Sequence, residues 1–196
     1  MLILASQSKS RQELLDAAGV DFTSVSAQID EEAIKSEMRA LNASAKETSM
    51  RLAVEKAMAV SEKYPSAYVI GADQILDLNG EWFSKPENLS IAHKHLKKLR
   101  NKKHLLVNGA AVVKNQKVIW CENSVVQVAM RDFSDNFLDE YLAEAGEEVC
   151  DSVGAYYLED LGAQLVKSVE GDFFSVLGLP LLPLLECLRS CGELKK

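Results

Sequence analysis

Sorted into hydrophobic and polar positions, the chain switches repeatedly between short apolar runs and amphipathic stretches. LILA, residues 2–5, is too short for a helix and reads as a buried strand. The polar turn SQSKSR follows at once. Over residues 8–18 the apolar positions Leu14, Leu15 and Ala18 then gather on one side of a helix that Gly19 ends. FTSVSAQI, from Phe22, alternates and predicts a second strand, and IDEE after it carries an acidic cluster of Asp30, Glu31 and Glu32. SAKE, residues 44–47, fits a capping box, serine with glutamate three positions on. It introduces a long helix through RLAVEKAMAVSEK that stops near Tyr64 and Pro65. AYVIGADQ has almost no polar interruption before Asp73, the mark of a central strand covered on both faces.

The second half repeats the scheme. Asn79-Gly80 between two short apolar segments signals a type I′ hairpin, and a helix starts near Asn88. HLLVNGAAVV and KVIWCENSVVQVAM predict two longer strands joined around Asn115, and Ser134-Asp135 opens the helix DNFLDEYLAEA. Residues 147–160 are irregular, with a turn at Gly154. GAQLVKSV and FFSVLGLP read as strand and loop, and PLLPLLECLR is a terminal helix with both prolines in its first turn. About seven strands and five or six helices in a mixed sheet make the fold class α/β.

Composition narrows this further. At 196 residues and 47% hydrophobic, the chain can bury a core as one domain, 1–196, with two lobes. No apolar run approaches the roughly 20 residues that span a bilayer. The N-terminus lacks the basic start and long apolar stretch of a signal peptide, so the expectation is a cytoplasmic protein with no membrane partner. A net charge of −7 argues against a nucleic-acid partner, because phosphate-backbone contacts need a basic field. Small anions are not excluded, since a local cation cluster or a bound divalent metal can reverse the potential inside a cleft. Cys121, Cys150, Cys187 and Cys191 form no CxxC pair and lack histidine at ligand spacing, so they are expected as reduced, structural thiols. His93 and His95 read as helix-surface positions, and His104 starts a strand.

Two strand exits carry candidate chemistry, because ligands in α/β folds bind beyond the carboxyl ends of strands. At the first, the serines of SQSKSR, free backbone N–H groups and Arg11 could cradle a phosphate; a serine N-cap would account for the same residues. At the second, Asp73 ends a buried strand, where a carboxylate needs a metal, a cation or hydrogen bonds, or else caps a turn. Lys85, before Pro86, offers a cation after the hairpin. Neither exit alone decides between these alternatives.

In order, LILASQSKSRQELLDAAGV, IDEE, RLAVEKA, VIGADQ, SKP, LKKLRNKKH, VNGAAV, GAYYLEDLGA and VLGLPL resemble the successive blocks of the Maf family of nucleoside triphosphate pyrophosphatases. The resemblance runs from residue 2 to about residue 188. It implies an inosine triphosphate pyrophosphatase-like fold, a mixed sheet flanked by helices with a central cleft between two lobes. It also implies cleavage of a nucleoside triphosphate to monophosphate and pyrophosphate with a divalent cation, Mg²⁺ or Mn²⁺, and a capacity to form a homodimer. Its catalytic residues would fall on Asp73, Lys85, Glu31, Arg11 and Lys56, with Asp73 and Glu31 as metal ligands. Its substrate contacts would fall on Ser8, Ser10, Gln74 and Glu159.

The chain departs from the family pattern at Ser10, where the first of two adjacent arginines usually stands, and at Asn108, where threonine is usual. Gln74 and Glu159 match the branch acting on 7-methyl-GTP rather than the dTTP/UTP branch, although that branch often has tryptophan at the position of Ser10. A cationic 7-methylguanine would suit the Glu159 carboxylate. The competing expectation is a nucleotide-sensing or division-linked interaction protein with vestigial catalysis; the intact set of Asp73, Glu31, Lys56 and Lys85 argues against it.

Overall fold

The opening apolar run forms β1 (Leu2–Leu4), buried at every position and flanked by parallel neighbours β2 (Thr23–Ser24) and β3 (Tyr68–Leu78). The computed structural model describes residues 1–195. Strands β4 (Glu81–Phe83), β5 (Lys103–Lys114), β6 (Lys117–Met130) and β7 (Val166–Glu170) complete a mixed sheet. Its order is β2-β1-β3-β5-β6-β7, with β4 antiparallel to the end of β3. Helices flank it: α1 (Lys9–Ala17), α2 (Glu31–Ala40), α3 (Ala45–Lys63), α4 (Leu89–Leu99), α5 (Asp135–Ala145), the short α6 (Phe173–Val176) and α7 (Leu181–Ser190).

Where local chemistry was strong, the expected elements stand. The Ser44–Glu47 capping box is formed in both directions and starts α3, whose C-cap is Tyr64. Asn88 and Ser134 each cap their helix through the side chain. Asn79 and Gly80 both take positive φ, 55° and 89°, as a type I′ turn demands, and Asn115 and Gln116 do the same between β5 and β6.

Three expectations need correction, and the acidic cluster of IDEE gains a structural setting. FTSVSAQI yields only the two residues of β2, because both are exposed and only β1 pairs with them. IDEE is the start of α2, with Asp30 as N-cap accepting from the Ala33 N–H at 2.9 Å and Glu31 and Glu32 in the first turn, where acids suit the helix dipole. Residues 173–176 of the expected loop close one helical turn, after Asp172 accepts from the Ser175 N–H at 2.8 Å. Pro180 is the N-cap of α7, so only Pro183 lies within its first turn.

The chain divides into two compact units. The first comprises Met1–Gln74, Val107–Ser124 and the segment from Leu177 onward. Its core joins Ile3, Val69 and Val113 of the sheet to Ala57 and Val60 of α3. The second comprises Ile75–Leu106 and Val125–Val176, built on Leu76, Phe83, Leu96, Val128, Leu138 and Tyr156. Each fully buried leucine contributes roughly 1.5–3 kcal/mol to such a core.

Candidate active site

The turn after β1 is built around Ser6 and Arg11. Ser6 Oγ accepts from the Ser8 N–H at 3.2 Å and from Arg11 Nη1 at 3.3 Å. Arg11 also donates from Nη1 to the Ala72 carbonyl at 3.1 Å and from Nε to the Gly178 carbonyl at 2.9 Å. The guanidinium is therefore buried and fixed against the middle of β3. Burial lowers its pKa, while the charges of Asp73 and Glu31 act the other way. Ser8 is the N-cap of α1, yet its hydroxyl makes no capping bond and the first turn holds no acidic residue. The first turn of α1 thus supplies no acidic side chain of its own to the positive end of the helix. Half-buried Ser10 lies second in α1.

Asp73 does not end its strand, as expected, but lies in the middle of β3, because the sheet continues past it to pair with β4. It meets Lys56 because α3 covers the face of β3 that Asp73 shares. Lys56 Nζ lies 2.6 Å from Asp73 Oδ1 and 2.9 Å from Glu31 Oε1, so one buried ammonium bridges two carboxylates. Asp73 Oδ2 is buried and has no hydrogen-bond partner among the described residues. Burial acts to raise the Glu31 pKa, but the charge and hydrogen bond of Lys56, with Lys35 and Arg11, outweigh it and hold the carboxyl below its ordinary value. Within the acidic pair the roles diverge: Asp30 caps α2, and its neighbour Glu31 reaches Lys56.

Gln74 projects opposite to Asp73 along β3 and donates from Nε2 to Asn108 Oδ1 at 3.1 Å. The sequence reading missed the link between these two positions, although it had marked each separately. It also missed Ser6 and Gly178 as the anchors of Arg11; neither carries a charge or a spacing that would single it out. The remaining candidates belong to the second unit. Lys85 is exposed after β4, with no ion pair among the described residues, and Glu159 is exposed beside Tyr157, whose pKa it helps push up to about 12. Tyr156 is a core residue at 5% exposure, hydrogen-bonded at 2.8 Å to a His104 that is itself buried rather than merely at a strand start. His95 is half-buried against Phe83, not a surface position. All four thiols are free.

The donors suit a hard divalent cation. Asp73 Oδ2 is a buried oxygen lacking a partner, Glu31 supplies a second carboxylate nearby on Lys56, and no group of three potential ligands exists among the described residues. Such a pair suits a divalent cation that completes its shell with water and ligand oxygens better than it suits a closed structural metal site.

On this α/β sheet, Asp73 of mid-β3 and Glu31 of α2 share the Lys56 ammonium beside a fixed guanidinium, a local cluster of charge that can reverse the potential felt by an anion. The match to known families is specific. The profile of Maf-like proteins matches residues 1–191, and the chain belongs to that family. Among its relatives, a protein of Paramagnetospirillum magneticum named nucleoside triphosphate pyrophosphatase is 47% identical, covering 98% of this chain and 99% of its own. One of the same name from Nitrobacter hamburgensis is 48% identical over 98% and 95%. A Rhizobium meliloti protein named 7-methyl-GTP pyrophosphatase is 41% identical over 99% and 98%.

Proposed function

We propose that this protein is an enzyme that hydrolyses nucleoside triphosphates, on standard or modified bases, to nucleoside monophosphate and pyrophosphate, as house-cleaning of the nucleotide pool. The observation that carries the reading is the buried Asp73 carboxylate, with one oxygen on Lys56 and the other unpartnered. The names of near-full-length relatives point to the same reaction. The family profile, running through both units, supports one functional domain.

In this reading a water molecule attacks the α-phosphorus, the bond from that phosphorus to the bridging oxygen breaks, and its electron pair leaves on pyrophosphate. Asp73 orients the water through its second oxygen, which takes the proton or, with a cation bound, serves as its ligand. A divalent cation held by Asp73 and Glu31, Mg²⁺ or Mn²⁺, would lower the pKa of that water and offset phosphate charge. Lys56 keeps two carboxylates together that would otherwise repel, and with Arg11 and Lys85 it neutralises charge growing on the leaving group. Arg11 Nη2, outside the three bonds that fix the guanidinium, is the atom presented to phosphate, together with the Ser8 and Ser10 turn. Gln74 and Glu159 would contact the base, which favours 7-methyl-GTP, the substrate named for the Rhizobium relative. The reading includes a homodimer, as the family resemblance implies, and a cytoplasmic location.

The test is pyrophosphate release from 7-methyl-GTP, UTP, dTTP and CTP with Mg²⁺, against Asp73→Asn as control. The expected result is release by wild type, fastest with 7-methyl-GTP, and near-background rates for the variant. A wild type no faster than Asp73→Asn would instead favour a sensor with vestigial catalysis. A clear preference for UTP or dTTP would remove the role given to Glu159.

A further inference from the structure

Helix α3 lies against the sheet with no side chain between the two backbones at two points. A Cβ placed on Gly71 would sit 2.0 Å from the Ala53 carbonyl oxygen and 2.9 Å from both Ala57 N and Ala57 Cβ. On Gly109 it would sit 2.4 Å from the Ser49 carbonyl oxygen and 2.5 Å from Met50 N. The helix side of this seat is Ser49, Ala53 and Ala57, four residues apart and each fully buried. Lys56 immediately precedes Ala57. Asp73 stands two residues beyond Gly71, on the same face of β3.

We propose that Gly71 and Gly109 are positioning residues of the active site: they set the depth at which α3 meets β3 and β5, and so hold Lys56 on Asp73. This rests on the reading that Asp73 and Lys56 act on the triphosphate. Restoring ordinary contact distance at either glycine requires α3 to move by roughly 1 Å or more. A 2.6 Å ion pair stretched that far leaves hydrogen-bond range. Asp73 is 6% exposed, hydrogen-bonds Lys56 through Oδ1 and leaves Oδ2 unpartnered, so loss of that contact removes a hydrogen bond from a buried carboxylate.

The experiment uses Gly109→Ala, whose contact at Ser49 is seven residues from Lys56, with folding followed by circular dichroism and thermal melting. The expected result is a folded protein whose kcat falls on the order of tenfold to a hundredfold while KM changes far less. In a cycle with Lys56→Gln, the two losses are expected to be strongly non-additive, because both act through one contact. A folded Gly109→Ala with wild-type kcat, or with losses that simply add, overturns the proposal. Should Gly109→Ala not fold, Ala57→Ser is measured in its place with the same expectations. Its failure to fold as well would show that the seat serves the core alone, and would also overturn it. An Asp73→Asn control as active as wild type would defeat the site reading instead, and so separates the two failures.

Discussion

Asp73 uses one carboxylate oxygen and keeps the other, and this asymmetry decides what its neighbours contribute. Lys56 is 10% and Asp73 8% exposed at the side chain, so their pair is a buried one. Removing one partner from such a pair leaves an uncompensated charge and costs about 3–5 kcal/mol. Lys56→Met is therefore expected to lose stability on that order in urea unfolding. The double variant Lys56→Met/Asp73→Asn should recover much of it; equal stabilities of single and double variants would contradict the pairing. His104 gives a second residue-scale test. Burial lowers its pKa from 6.5 to about 4. Between those values the folded protein binds fewer protons than the unfolded chain, so stability falls as pH drops from 6.5 to 4. The full effect is about 3 kcal/mol at most, at roughly 1.4 kcal/mol per unit. His104→Gln, which can still bond Tyr156, should flatten the dependence of the urea midpoint across that range. An unchanged slope would show that His104 is not its source.

At the scale of elements, α2 shows how one short acidic stretch does two jobs. Asp30 satisfies an N-terminal N–H and sets where α2 begins, which places Glu31 in the first turn and in reach of Lys56. Asp30→Ala is expected to cost about 1 kcal/mol through the lost cap and to lower activity by loosening Glu31. Asp30→Asn should retain the cap and most of the activity. Glu31→Gln should keep the helix and lose activity, and a fully active Glu31→Gln would remove that carboxylate from the mechanism. The Glu31 carboxyl, held low by Lys56, stays ionised further into acid than an ordinary glutamate. Its contribution is present above its ordinary value and lost as pH falls through the lowered one.

Across the whole molecule, elements with strong local signals were legible in the sequence. The Ser44–Glu47 box, the Asn79-Gly80 turn and the serine and asparagine caps each satisfy backbone groups without help from distant residues. The opening of α2 was not, because Asp30 and Glu31 stood out only as charge, although Ile34 and Met38, four residues apart and half-buried, mark one side of the helix. FTSVSAQI alternates like a strand, but a sheet edge pairs only where a neighbour is long enough, and β1 has three residues. Asp73 and Lys56 were readable as candidates from motif order, although the strand does not end at Asp73 but runs on to Leu78. Their contact was not, since it depends on how closely α3 approaches Gly71 and Gly109, a tertiary distance. The anchoring of Arg11 on Ala72 and Gly178 carbonyls is hidden for the same reason: backbone acceptors leave no trace in side-chain identity.

All of these scales meet in the claim that water is delivered to the α-phosphorus at Asp73. Hydrolysis of 7-methyl-GTP in ¹⁸O-labelled water with Mg²⁺, products read by mass spectrometry, tests that claim directly. The account predicts the label in the nucleoside monophosphate and none in pyrophosphate, with turnover abolished in Asp73→Asn. Label in pyrophosphate, release of orthophosphate as the first product, or an Asp73→Asn variant as fast as wild type would contradict it.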